Sequence, residues 1–115
     1  MKRILITIAL LSGGSAFAQA ATPLLTDSGN AFLATCENQT ILRSACLSFV
    51  GGVLQGYAVS ASPALCMPDG ITYDQSLRIT LKYMQDHPEK LHMVPAALIV
   101  VAHLQAFPCP VPQKK

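Results

Sequence analysis

Cys66-Met67-Pro68-Asp69-Gly70-Ile71-Thr72-Tyr73-Asp74-Gln75 decides the fold of this 115-residue chain. Pro68, Asp69 and Gly70 form a turn, because proline presets one φ and glycine accepts the positive φ that side chains avoid. Thr72 and Gln75 then make a Thr-x-x-Gln capping box, in which the hydroxyl takes the Gln75 amide N–H and the Gln75 side chain reaches back to Thr72. A cysteine therefore lies directly behind a marked helix start.

Downstream, that helix runs from Thr72 to about His87. Tyr73, Leu77, Leu81 and Met84 form its inward stripe, and Asp74, Arg78, Lys82 and Asp86 follow at i, i+4 as a solvated ladder. Ile79 and Tyr83 widen the apolar arc beyond what one contact needs, which predicts burial against another helix or another subunit. His87-Pro88 stops the helix, since the residue before proline avoids the αR region. Asp86 to Val94 then form a connector. Pro95 suits the first turn of a last helix, reaching Phe107, that is apolar nearly all round and so belongs at the centre of a small core.

Upstream, a helix from about Ile41 to Ser60 carries Leu42, Cys46, Phe49, Val50, Val53, Leu54 and Tyr57 at helical spacing. Gly51, Gly52 and Gly56 inside it predict close approach by a neighbouring helix. Ser62-Pro63 ends it. A shorter first helix starts at Asp27 or Ser28 and runs to Cys36. The pattern is an all-α protein, a compact bundle of about four helices with its core in residues 27–109.

The N-terminus reads as a secretory signal peptide, residues 1–18 with cleavage after Ala18 or Ala20. Lys2 and Arg3 precede an apolar run that is too short to span a bilayer, and small residues close it. Its brevity points to the bacterial periplasm. Residues 19–115 are then a single domain. Of the eight Lys and Arg, Lys2 and Arg3 leave with the signal, so six basic residues face six acidic ones. That balance excludes nucleic acid as a partner and gives no hold on a membrane surface after cleavage.

A domain of under a hundred residues has a thin hydrophobic margin. Four cysteines in an oxidising compartment imply two disulfides. With helices running up, down, up and down, Cys36 and Cys46 flank one turn while Cys66 and Cys109 share the opposite pole. The predicted bridges are Cys36 to Cys46 and Cys66 to Cys109. No cysteine spacing suits zinc, so no metal or cofactor is expected.

The sequence holds no nucleophile elbow, phosphate loop or His-Glu-x-x-His helix, which argues against an enzyme and leaves no catalytic residues to nominate. His103 stands alone in the last helix and is expected as a hydrogen-bonded core histidine. His87 and His92 fall on the connector as solvent or partner contacts.

Taken together, Asn30 with Cys36, Cys46 with Phe49-Val50-x-Gly52-Val53, Cys66-Met67-Pro68-x-Gly70-Ile71-Thr72, Lys82-Tyr83-Met84-x-x-His87-Pro88-Glu89, and Phe107-Pro108-Cys109 resemble the Rap/Tai family of immunity proteins. The resemblance spans nearly all of the mature chain, with one departure at Gln55, where many members carry an acidic residue. It implies a periplasmic protein, commonly a homodimer, that binds and occludes a type VI secreted peptidoglycan amidase effector. By the same analogy the connector, Asp86, His87, Pro88, Glu89, Lys90, Leu91 and His92, is the partner-binding element, and Ile79 with Tyr83 is a dimer or packing face. The competing classes are an acid-stress chaperone and a structural accessory subunit of an envelope complex. Balanced charge and few carboxylates weaken the chaperone reading.

Overall fold

The computed structural model describes residues 25–38, 40–60 and 64–110. The expected signal peptide, the lead before Leu25, the Ser62-Pro63 stop and the tail after Pro110 lie outside the described residues. Among the described residues four helices follow one another: α1 (Gly29–Cys36), α2 (Arg43–Ala58), α3 (Tyr73–Asp86) and α4 (Pro95–Ala106), with a 3-10 turn at Pro88–Lys90 between the last two. The described residues contain no strand, so the all-α expectation holds.

Local sequence explains three of the four helix starts. Ser28 caps α1 by accepting from the Ala31 amide at 3.1 Å. Thr72 caps α3 through both bonds of the capping box, Gln75 N–H to Thr72 Oγ1 at 3.1 Å and Thr72 N–H to Gln75 Oε1 at 3.2 Å. Gly70 ahead of it has φ 84, the left-handed value the turn requires. Pro95 opens α4, where its missing N–H costs nothing. α2 has neither a side-chain cap nor a proline in its first turn. Its first turn is instead tethered covalently, since Cys46 joins Cys36 at the end of α1.

Both disulfides pair as the bundle topology predicts, Cys36 with Cys46 and Cys66 with Cys109, across Cα separations of 5.9 and 5.1 Å. Between them lies a core of Phe32, Cys46, Val50, Leu77, Met84, Leu98 and Ile99, all at most 1% exposed. α3 packs against α2 and α4, and α1 covers α3 and α4.

Four details correct the sequence expectations. The inward face of α3 is Ser76, Leu77, Thr80, Tyr83 and Met84, while Tyr73 is 53% exposed and Leu81 half-buried. The stripe is rotated onto the small polar Ser76 and Thr80, which are at most 1% exposed. Among the α2 glycines, Gly51 alone is approached, and by a side chain: a Cβ there would lie 2.9 Å from Tyr73 Cε1. Gly52 and Gly56 have nothing within 4 Å of that position and line an open groove with Ala96, Ala97 and Val100. α4 therefore keeps a half-exposed side and is not enclosed all round. The α3 ladder is two separate rungs, Arg78 to Asp74 at 3.1 Å and Lys82 to Asp86 at 2.9 Å, and Asp74 also pairs with Arg43 of α2.

The bridges differ in the chain length they close, 43 residues against 10. In the chain-entropy model the longer contributes about 4 kcal/mol and the shorter under about 3 kcal/mol. Thermal unfolding of the Cys66→Ala/Cys109→Ala and Cys36→Ala/Cys46→Ala pairs is expected to show both melting below the wild type, with the first pair lower.

Candidate functional site: a braced connector

The segment from Asp86 to Val94 bears the exposed groups nominated for partner contact, and its conformation is fixed from three directions. Within the segment, successive turns close through Lys90 N–H to His87 O at 3.0 Å, Leu91 N–H to Pro88 O at 3.3 Å and Met93 N–H to Lys90 O at 2.9 Å. From α3, Tyr83 acts as a keystone. Its carbonyl accepts from His87 Nδ1 at 2.8 Å, its ring stacks on the His87 imidazole with centroids 4.1 Å apart, and its hydroxyl accepts from Lys90 Nζ at 3.0 Å. The Lys90 ammonium is held above its ordinary pKa chiefly by that hydrogen bond, so it stays charged.

The third brace comes from α1. A helix leaves its first N–H groups without intrahelical partners. Here Gly29 N–H donates to Met93 O and Asn30 N–H donates to Leu91 O, both at 2.9 Å. Gly29 makes this approach sterically feasible, because a Cβ there would meet Leu98 Cδ1 at 2.5 Å and the Leu91 Cα and O at 3.1 Å.

The nominated residues therefore divide. Asp86, Pro88, Glu89 and His92 are exposed, and Asp86 is engaged by Lys82. His87 and Lys90 are half-buried against Tyr83. Leu91 is 8% exposed and anchors the segment in the core. Of the nominated dimer or packing pair, Tyr83 is buried within its own chain at 7% exposure, and Ile79 is half-buried beside the core. Sequence reasoning missed Tyr83, Gly29 and Asn30 as braces, and it missed the exposed Met93 and Val94, which extend the presented surface with apolar side chains. The signal for Tyr83 was its spacing of four residues before His87. Nothing local pointed to Gly29.

Among the described residues His103 is the one basic side chain in the buried set. Nδ1 donates to Ile99 O at 2.8 Å, and Nε2 has no partner among the described residues. Desolvation pushes its pKa below the usual 6.5, and the Ile99 carbonyl opposes that shift only in part. Among the described residues no group of three or more His, Cys, Asp or Glu is placed to hold a metal ion, and no helix is long and apolar enough to cross a membrane.

This arrangement defines a small disulfide-bonded binding scaffold that presents a stiff turn. Residues 28–109 match the model of the Rap1a immunity proteins, and the chain belongs to that family. Membership implies a cognate effector as partner. No curated protein and no solved structure shows significant similarity to the chain.

Two outcomes follow for this region. Gly29→Ala forces the Leu91 backbone away from α1, so chemical denaturation is expected to report a loss of about 1–3 kcal/mol, the range for overpacking a tight site. For His103, the unfolded chain binds the proton more readily than the folded one, so stability is complete above about pH 6.5 and declines as pH falls toward the depressed folded pKa. Melting temperatures between pH 7 and pH 5 are expected to fall in the wild type and to fall less in His103→Leu.

Proposed function

We propose that the protein is a periplasmic immunity protein that binds a type VI secreted peptidoglycan amidase and occludes its active site with the 86–94 connector. The observation that carries this reading is the triple bracing of a turn whose Pro88, Glu89 and His92 are exposed. Ordering a loose loop at an interface costs roughly 0.5–1.5 kcal/mol for each immobilised side chain, and a segment already held by Tyr83 and by the α1 amides avoids that cost. Family membership supports the immunity role, and the resemblance in the sequence motifs supports an amidase as the target. The signal pattern at the N-terminus supports the periplasm, which is where peptidoglycan is exposed to such an enzyme and where both disulfides form.

Pro88, Glu89 and His92 present the outer surface of the turn, with Met93 and Val94 as an apolar flank. A cleft that holds a polymeric substrate is open enough to admit such a turn. The occluding protein needs no chemistry of its own.

The test pairs the purified chain with the candidate amidase and follows peptidoglycan hydrolysis. Stoichiometric inhibition is expected. Glu89→Arg combined with His92→Ala should weaken binding at least tenfold, about 1.4 kcal/mol, with the melting temperature unchanged because both side chains are exposed. Undiminished inhibition by that variant would remove the connector from the interface.

A further inference from the structure

At the other end of α3, about 20 Å along its axis from the connector, lies a half-enclosed cavity of about 510 Å³. Such a volume falls among pockets that hold small organic molecules, roughly 300–1,000 Å³. Its apolar walls are Leu54 from α2, Leu65 and Met67 from the segment before the turn, and Ile71, while Tyr73 and Gln55 stand at its lip. We infer that this cavity is a binding site for an uncharged amphipathic small molecule, with an apolar body and one amide- or hydroxyl-type head group.

The cavity is held open by its own construction. On one side the Tyr73 ring lies against the bare backbone of Gly51, where no Cβ intervenes, and its hydroxyl accepts from Gln55 Nε2 at 2.8 Å. On the other side, Cys66 sits between Leu65 and Met67 and is bonded to Cys109 after α4. Both walls are thus fastened to neighbouring elements of the fold.

The lining sets the ligand's chemistry. Among the described residues no charged side chain borders the cavity, so an ionised group inside it would lose water without gaining a counter-charge. The Gln55–Tyr73 pair supplies the polar end. With Nε2 donating to the hydroxyl, the tyrosine proton and Gln55 Oε1 remain for a ligand. With the amide turned over, its N–H groups and a tyrosine lone pair remain. Either way the lip offers at least one donor and one acceptor together, which complements an amide or a hydroxyl. This site is separate from the connector and independent of the identity of the effector.

The test uses N-phenyl-1-naphthylamine, a neutral apolar fluorophore that brightens when it leaves water, with the mature disulfide-bonded protein. Saturable 1:1 binding with a Kd on the order of 10 μM is expected from its size. Ala58→Phe places a ring in the cavity from an exposed position at the end of α2 and should weaken binding at least tenfold without lowering the melting temperature. Val100→Phe, in the open groove between α2 and α4, should leave binding unchanged. In displacement, 2-naphthamide should outcompete 2-naphthoate at least tenfold. Absence of saturable binding, undiminished binding by Ala58→Phe, loss on Val100→Phe, or equal displacement by the carboxylate would each overturn the assignment.

Discussion

The bundle depends on α1 serving as a strap between two parts of the chain that are distant in sequence. Eight residues make a helix about 12 Å long, far below the length at which an isolated helix is stable in water. It persists because both of its ends are fastened. At the start, the amides of Gly29 and Asn30 are taken by the connector carbonyls of Met93 and Leu91, and that of Ala31 by the Ser28 hydroxyl. At the finish, Cys36 is bonded to Cys46 in the first turn of α2. Two of the three amides that a helix start ordinarily exposes to water thus tie α1 to the connector, and the third is capped locally. In the middle, Phe32 is wholly buried and its ring lies 5.8 Å from that of Phe49 on α2.

That dependence explains which parts of the fold were legible in the sequence. Caps, turns and helix stops are decided by residues within a few positions of each other, so Ser28, the Thr72–Gln75 box, Gly70 and Pro95 could be placed from the sequence alone. The disulfide pairing followed because four antiparallel helices leave only one sensible grouping of the cysteines by pole. The buried face of α3 was not legible, because apolar character marks large side chains and two of the buried positions here are the small polar Ser76 and Thr80. Tyr73, counted as core, instead lies across Gly51 with its hydroxyl in reach of Gln55. Whether a helix glycine admits a backbone, a side chain or nothing depends on what stands opposite. Residue spacing carries no information about that.

The same limit applied to the connector. Its position followed from His87-Pro88 and Pro95 and its role from the family resemblance, but its rigidity rests on contacts across more than fifty residues, from Gly29 and Asn30 to Met93 and Leu91. Treating the segment as a uniform contact surface placed Leu91 among the partner-facing residues. It is the buried peg that holds the others outward. Tyr83 was noticed for being apolar on an unassigned strip of α3, and its actual work is internal: one residue supplies a carbonyl, a ring face and a hydroxyl to the turn that follows it.

A protein this small has little free energy to spare, and it distributes its fastenings unevenly. The connector is secured by hydrogen bonds from α1 and Tyr83, while the cavity wall at the opposite end of α3 is secured by the Cys66–Cys109 bond. Hydrogen bonds of this kind contribute only about 1 kcal/mol each, but they act in the native state and fix one geometry. A disulfide acts mainly on the unfolded chain, making disorder less favourable, and prescribes the native geometry less closely. The division matches what each end needs. A turn that must meet a partner in a set shape is held by directional bonds to rigid helices, and a loop that must merely stay near α2 is held by a covalent tether. α3 runs between the two ends and packs against both α2 and α4, and its core residues Leu77 and Met84 are packed with almost no exposure to solvent, so a change at either end meets a close-packed interior.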